Sequence, residues 1–139
     1  MILIDSNVLI DIFDRDPTWF DWSLANIQQA ATGASLFVTP VIVGEVAPRF
    51  ATLNEFSQVM AGLLIAVEPM SAEAGYHAGV AFQQYRTRRK EGAAKTILAD
   101  FLIGGQARSM RAGILTRDPR FYRTYFPELT LITPENEHG

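Results

Sequence analysis

The sequence predicts an α/β fold in which a central parallel β-sheet of about five short strands is covered by helices on both faces. Short apolar segments alternate five times with longer segments whose apolar residues recur at helical spacing. This alternation is typical of a parallel sheet, because each crossover between parallel strands needs a helix. No internal repeat or linker interrupts the 139 residues. We therefore expect a single domain over residues 1–139, with 133–139 as a flexible tail.

Five short runs of β-branched and other apolar residues are predicted to be strands. The first is followed directly by Asp5, and the fourth is followed shortly by Asp118. Both carboxylates should therefore lie at the carboxyl ends of strands, where ligands bind in parallel sheets. The predicted strands are Ile2–Ile4, 36–39, Ile65–Val67, 114–116 and 129–132.

The segments between these strands carry helix start and stop signals. Pro17 ends the first helix and Gly33 follows the second, whereas Pro40 suits the first turn of the third. Ser71 is placed to cap the fifth helix, and Gly113 ends the sixth. The predicted helices are Ser6–Phe13, 19–31, 40–50, 53–64, 71–90, 96–111 and 119–125.

The composition and the missing motifs exclude several classes of protein. Cysteine is absent and there are only two histidines, which excludes thiolate and multi-histidine metal sites. The longest apolar run, 60–67, is far short of the roughly 20 residues that span a bilayer, so we expect a cytoplasmic protein with no membrane contact. No GxGxxG or GxSxG motif occurs, and 92–96 resembles a P-loop but lacks the glycine before Lys95.

Charge is distributed unevenly along the chain. The net charge is −3 at pH 7, but residues 1–80 carry −7 and residues 81–139 carry +4. This asymmetry favours a surface that faces a polyanion beside an acidic region, although ordinary solvated helix faces explain it as well.

Four carboxylates are the candidate functional groups: Asp5, Glu45, Asp100 and Asp118. Each alone has an ordinary explanation as a helix cap, a solvated side chain or a turn residue. Glu45 and Asp100, however, each interrupt an otherwise apolar segment. An ionised carboxylate there is costly without a counter-charge, and a divalent cation would supply one for all four groups.

These residues stand in four short segments, 4–10, Glu45, 100–103 and 116–121, which resemble the four motif blocks of the PIN-domain nucleases. In length and compactness the chain resembles the VapC-type toxins of toxin–antitoxin pairs. The resemblance covers essentially the whole chain in the right order. One departure is the pair Gly104 and Gly105, where family members usually carry alanine, and glycine preserves close packing there.

The resemblance implies a PIN-like three-layer sandwich and an endoribonuclease that depends on Mg²⁺ or Mn²⁺. It also implies an RNA substrate, a homodimer and a cognate antitoxin that neutralises the enzyme. Oxygen ligands without histidine or cysteine suit these two ions rather than zinc. By the resemblance, the acidic quartet is catalytic: Asp5 and Asp100 bind the metal directly, and Glu45 and Asp118 complete the shell through water or a second ion.

Residues around the quartet are assigned supporting roles. Asn7 and Thr116 are candidates for hydrogen bonds that orient the carboxylates, and Ser6 is a weaker candidate because it can simply cap a helix. Arg117 and Arg120 are the preferred phosphate contacts, with the basic segment 86–95 as the alternative.

The helix at 19–31 is predicted to use one face against the sheet and the other for a partner. Its predicted core stripe consists of Phe20, Leu24, Ile27 and Ala31. Trp22 then points to nearly the opposite side, where we expect it to contribute to a groove for an apolar antitoxin segment. The alternative is that Trp22 is ordinary core.

Two other functions remain open from the sequence. One is a phosphatase or phosphotransferase of the haloacid-dehalogenase type with Asp5 as nucleophile, although Asn7 stands where that fold has a second aspartate. The other is a non-catalytic RNA-binding or regulatory domain that has lost the metal.

Overall fold

The computed structural model describes residues 1–88 and 98–134, with the side chain of Arg88 left out. Within them lies a five-stranded, all-parallel sheet with the order β3-β2-β1-β4-β5, which confirms the predicted fold class. The strands are β1 (Ile2–Ile4), β2 (Leu36–Val38), β3 (Ile65–Val67), β4 (Gly113–Leu115) and β5 (Leu131–Ile132).

Helices connect the strands at nearly the predicted positions. Their bounds are α1 (Ser6–Phe13), α2 (Phe20–Ala31), α3 (Pro40–Val46), α4 (Leu53–Gly62), α5 (Ala72–Arg88), α6 (Leu98–Met110) and α7 (Arg120–Tyr125). The Ser71 hydroxyl accepts from the backbone N–H of Ala74, as expected of the cap of α5. The predicted end of α5 near 90 and start of α6 near 96 lie outside the described residues.

The third helix is shorter than predicted. It ends at Val46 and continues as a single 3₁₀ turn, Ala47–Arg49. Pro48 lacks the backbone N–H that the next α-helical bond needs, and its ring crowds the preceding turn, so the α-helix cannot extend to residue 50. At the other end of the chain, Thr133 is buried although it was expected to begin a tail.

Strand order places the predicted site at a defined point of the sheet. From β1 the chain winds through β2 to β3, and then returns past β1 to add β4 and β5 on the other side. Because parallel crossovers are right-handed, the helices of the two windings cover opposite faces of the sheet. The carboxyl ends of β1 and β4 lie where the winding reverses, which is the usual ligand position in such folds.

The orientation of α2 differs from the prediction. Ser23 and Ile27 are its buried positions, and Trp22 packs against the core instead of pointing away from it. Phe20 and Leu24, predicted to face the core, are only partly buried. The Ser23 hydroxyl donates to the buried carboxylate of Asp11 at 2.7 Å, and this polar contact turns the helix. A hydrophobic pattern does not register such a contact, which explains the error.

Close packing of α5 on α6 depends on glycine. A Cβ atom on Gly105 would lie 2.4 Å from the carbonyl oxygen of Ala74 and 2.8 Å from the backbone nitrogen of Ala78. Both atoms belong to the backbone of α5, so they cannot move aside as a side chain can. The small residues therefore set the distance between the two helices.

No helix of the described residues is long and apolar enough to cross a membrane.

This packing gives a matched pair of variants. Gly105→Ala should lower the free energy of unfolding by about 1–3 kcal/mol, because overpacking against a backbone outweighs the better helix propensity of alanine. Gly79→Ala, on the open side of α5 with nothing within 4 Å of the added atom, should raise it by about 0.5–1 kcal/mol. Urea denaturation of both variants measures the difference, and an equal gain in both would contradict the packing described.

Candidate functional site

Three of the four predicted carboxylates line one small polar cleft at the carboxyl ends of β1 and β4. The cleft has a volume of about 80 Å³. Its floor comes from the start of α1, one wall from the first turn of α6, and the other from the segment after β4 together with α7. The lining residues are Asp5, Ser6, Asn7, Asp100, Asp118, Phe121 and Tyr122.

Asp5 is the central and most buried of these acids. Its Oδ1 accepts from the backbone N–H of Ser6 at 2.8 Å, which caps α1. Its Oδ2 accepts from the Thr116 hydroxyl at 2.9 Å and from the Tyr122 hydroxyl at 3.0 Å. Burial raises the pKa of Asp5, and these three hydrogen bonds oppose the rise because they favour the ionised carboxylate. One acceptor position on Oδ1 remains for a further ligand.

Thr116 uses all of its hydrogen-bonding capacity at the site. Its hydroxyl donates to Asp5 and accepts from the Asn7 side-chain amide at 3.2 Å and from the backbone N–H of Asp118 at 3.1 Å. A hydroxyl offers one donor and two acceptor positions, and Asp5 at 2.9 Å is a much nearer acceptor for its proton than the carbonyl oxygen of Asp118 at 3.5 Å. Asn7 therefore acts on Asp5 through Thr116 and does not contact the carboxylate itself.

Asp100 carries the clearest electrostatic sign of a shared site. Its pKa is raised to about 6, first by burial and then by the negative charges of Asp5, Glu45 and Asp118. Coulombic effects of this kind require short distances between the groups. The four predicted acids are thus brought together in space, although they are far apart in sequence.

Glu45 lies on α3 and is not among the residues that line the cleft, but its charge acts on Asp100 and is itself acted on by Asp5. Partial burial raises its pKa, a hydrogen bond from the Ser6 side chain lowers it, and the charge of Asp5 raises it further. Ser6 thus serves two acids at once, because its backbone N–H donates to Asp5 and its side chain makes a hydrogen bond to Glu45.

Tyr122 is a residue of the site that sequence reasoning missed. It is buried, it donates to Asp5, and burial together with the charge of Asp5 raises its pKa well above the usual tyrosine value. The phenol is therefore a permanent donor in the neutral range. The only sequence signal was its position on the short helix that follows Asp118.

The two predicted phosphate-binding arginines lie in different places. Arg120 is exposed at the start of α7, beside the cleft. Arg117 turns its guanidinium away from the cleft and binds the buried carboxylate of Asp11. Of the alternative basic segment, 89–95 lies outside the described residues.

The donor set of the cleft suits a hard divalent cation. It consists of carboxylate and hydroxyl oxygens, the ligands that Mg²⁺ and Mn²⁺ prefer. Among residues 1–88 and 98–134, no three acidic or histidine side chains already converge closely enough to count as a formed metal-binding group. The mutual repulsion that raises the pKa of Asp100 is relieved when a cation lies between the acids, so the residues fit such an ion.

A comparison with known families identifies this arrangement. The PIN domain family matches the chain over residues 2–127, which includes all four acids. The chain belongs to the PIN-domain family. This confirms the resemblance noted in the sequence, and the acids of this PIN domain stand at the sheet position that the strand order predicts.

Solved structures support the PIN fold. VapBC2 from Rickettsia felis, bound to a DNA fragment from its promoter, superposes with a TM-score of 0.69 at 18% identity, covering 96% of this chain and 98% of that chain. A toxin–antitoxin complex from Klebsiella pneumoniae gives 0.64 at 19%, covering 96% and 98%. DNA-bound VapBC from Salmonella typhimurium gives 0.65 at 16%, covering 95% and 96%. The search among curated proteins finds no match.

The raised pKa of Asp100 predicts how the stability of this PIN domain depends on pH without metal. A carboxyl whose pKa is higher in the folded state opposes folding once it ionises, so stability is lost as pH rises from about 4 to about 6. In EDTA, Asp100→Asn should therefore be more stable than wild type at neutral pH, by about 1 kcal/mol after solvent screening. The difference should vanish below about pH 4, as measured by thermal unfolding.

A control of opposite sign is available on the surface. Arg49 lowers the pKa of Asp14, so the ionised Asp14 favours folding at neutral pH. Asp14→Asn should accordingly lower the melting temperature at neutral pH and lose this effect in acid. Equal behaviour of the two variants would contradict the electrostatics of the cleft.

Proposed function

We propose that this PIN domain is a metal-dependent endoribonuclease and the toxin of a toxin–antitoxin pair. The observation that carries the proposal is that Asp5, Asp100 and Asp118 line one small polar cleft, while Glu45 on α3 is near enough for its charge to raise the pKa of Asp100. The PIN-domain family and the toxin–antitoxin complexes among the superposing structures support the same conclusion.

Asp5 and Asp100 are the direct ligands in this proposal, and Glu45 and Asp118 complete the shell through water or a second ion. Mg²⁺, or Mn²⁺ in its place, supplies charge neutralisation and the activation of water for attack on a phosphodiester. Thr116, Tyr122 and the N–H of Ser6 favour the ionised form of Asp5 and fix its orientation. Tyr122 also excludes water from the inner side of Asp5, where it is buried.

The substrate approaches from the open side of the cleft. Arg120 lies on that side and is the candidate contact for a phosphate of the RNA. Water-driven hydrolysis does not need the ribose 2′-hydroxyl, so the choice of RNA over DNA rests on the resemblance to VapC-type toxins. The alternative of a covalent aspartyl-phosphate is disfavoured, because Asn7 stands where that fold has its second aspartate and the chain belongs to the PIN-domain family.

Loss of one acid tests the nuclease. Asp100→Asn should abolish Mg²⁺-dependent cleavage of total RNA, as measured by end-mapping of fragments with Mg²⁺ and with EDTA. Mg²⁺ should also raise the melting temperature of wild type more than that of the variant. Asp21→Asn is the matched control, since Asp21 is likewise an acid in the first turn of a helix but lies on exposed α2 surface.

Full activity in a clean Asp100→Asn preparation would exclude the assignment of the quartet. Cleavage that persists in EDTA would exclude the metal. A phosphorylated Asp5 detected by mass spectrometry would favour the phosphotransferase alternative instead.

We propose a cognate antitoxin as the protein partner and a homodimer as the assembly. The candidate antitoxin surface is an apolar cleft between α2 and the end of α4, lined by Ile27, Ala31 and Leu63 together with Leu64. Leu64 is 70% exposed and has a φ of 62°, a left-handed conformation that is unfavourable for leucine. Leu64 therefore contributes little to the free energy of folding. An apolar segment of a partner protein could, however, pack against its exposed side chain. Trp22 packs against the core, so its predicted place in such a groove gives way to Leu64.

Leu64→Asn separates folding from binding. Asparagine tolerates the left-handed conformation better, so the free energy of unfolding should rise by a few tenths of a kcal/mol or more. Binding to the co-expressed product of the neighbouring gene should weaken about tenfold or more, because an apolar anchor is lost. Leu53→Asn is the control, since Leu53 is 75% exposed and lies outside the cleft. Equal affinity of both variants would place the antitoxin elsewhere, and light scattering of the free protein tests the dimer.

A further inference from the structure

A buried ion pair stands beside the site without belonging to the acidic quartet. The Asp11 side chain is 2% exposed, and Arg117 grips it with two donors, Nε to Oδ2 at 2.5 Å and Nη2 to Oδ1 at 2.8 Å. The Ser23 hydroxyl donates to the same carboxylate at 2.7 Å. The guanidinium also lies 5.0 Å from the centre of the Trp19 ring. The side chain of Arg117 is thus held by Asp11 of α1 and by Trp19 of the loop before α2, while Ser23 of α2 holds the carboxylate of Asp11.

The backbone of Arg117 takes part in the site that its side chain avoids. Its N–H donates to the Asn7 side-chain oxygen at 3.1 Å, and the amide of Asn7 donates to Thr116 at 3.2 Å. Thr116 in turn donates to Asp5 at 2.9 Å. A continuous set of contacts therefore joins Asp11 to Asp5 through residue 117.

The two residues on either side of Arg117 in sequence both belong to the site, so the contacts of Arg117 act on the site through them. Thr116 holds the central carboxylate, and Asp118 lines the cleft. β4 ends at Leu115, and the backbone N–H of Thr116 still donates to the carbonyl oxygen of Ile132 in β5 at 3.0 Å, so the chain leaves the sheet only after Thr116. Nothing in the regular hydrogen bonding of the sheet therefore fixes Asp118, whereas a two-donor contact to a buried carboxylate fixes position and orientation together.

We propose that Asp11 and Arg117 form a positioning pair, which anchors the segment 116–118 to α1 and thereby sets the places of Thr116 and Asp118 around Asp5. The pair acts through the site residues and does not touch the substrate. This inference rests on the proposed nuclease function for its effect on activity. Its structural part, the anchoring of residue 117, stands independently of that function.

Two other roles for Arg117 make different predictions. A phosphate contact would contribute to the salt dependence of RNA binding, whereas a positioning residue would not. A purely structural pair would affect stability alone and leave the metal site and the turnover of the folded protein unchanged.

The experiment compares Asp11→Asn with Ser23→Ala, which removes a different partner of the same carboxylate and leaves the link to residue 117 intact. Amide hydrogen exchange of residue 117 is followed by NMR in the metal-free protein. The amide of Ile114, which donates to Thr130 within the sheet, serves as internal reference. We expect exchange at residue 117 to accelerate about tenfold relative to Ile114 in Asp11→Asn and to stay unchanged in Ser23→Ala.

Function is measured on the same proteins. Asp11→Asn should lower Mn²⁺ affinity and kcat for RNA cleavage by about 10–100-fold, as loss of groups that orient ligands does, with little change in KM. The salt dependence of RNA binding should be unchanged in Asp11→Asn and in the charge-removing variant Arg117→Gln, but reduced in Arg120→Ala.

If Asp11→Asn does not fold, the double variant Asp11→Leu with Arg117→Met takes its place, because it replaces both charges by apolar groups. The same changes in exchange at residue 117, in Mn²⁺ affinity and in kcat are then expected of the double variant. Unchanged exchange at residue 117 would overturn the proposal, as would a lower melting temperature with full metal affinity and kcat. A reduced salt dependence in Arg117→Gln would show a phosphate contact instead. If the wild type lacks metal-dependent cleavage while exchange at residue 117 still accelerates, the proposed function fails and the anchoring stands.

Discussion

Repulsion among four carboxylates is the constraint on which the rest of this structure depends. Burial raises the cost of ionising Asp5, Glu45 and Asp100, and the negative charges of neighbouring acids add to that cost at each of the three. Hydrogen-bond donors around Asp5, the most buried acid, offset part of this cost. They are the N–H of Ser6 and the hydroxyls of Thr116 and Tyr122. The negative charge that these donors do not offset faces the cleft. In the proposed function, a bound cation neutralises that charge.

Sheet topology and helix packing deliver the acids to that place. The reversal of winding at β1 puts the carboxyl ends of β1 and β4 side by side, so Asp5 and the segment 116–118 meet although more than a hundred residues separate them. Asp100 arrives on α6, whose approach to α5 is permitted by Gly105. Stability of the helix pair and geometry of the site are therefore linked through the same close contact.

Arg117 shows how one residue can serve a site with its backbone and leave it with its side chain. Its guanidinium is neutralised by the buried Asp11, while its N–H joins the contacts that lead to Asp5. The same carboxylate turns α2, since Ser23 donates to it from that helix. One buried acid thus relates α1, α2 and the segment after β4, and α2 in turn supplies one wall of the apolar cleft proposed for the antitoxin.

The sequence by itself determined the fold class, the five strands and the approximate positions of the helices, because periodicity and proline and glycine signals are local, and it named the four acids through the resemblance to the PIN-domain family. Sequence reasoning did not establish the side-chain directions of Trp22, Phe20 and Arg117, and one reason accounts for all three. Their directions depend on the buried carboxylate of Asp11, which in sequence is simply one more acid on an amphipathic helix. Tyr122 joined the site only when α7 folded over Asp5. Burial and long-range hydrogen bonds arise from the packing of distant segments, so only the tertiary structure decided which polar groups pair.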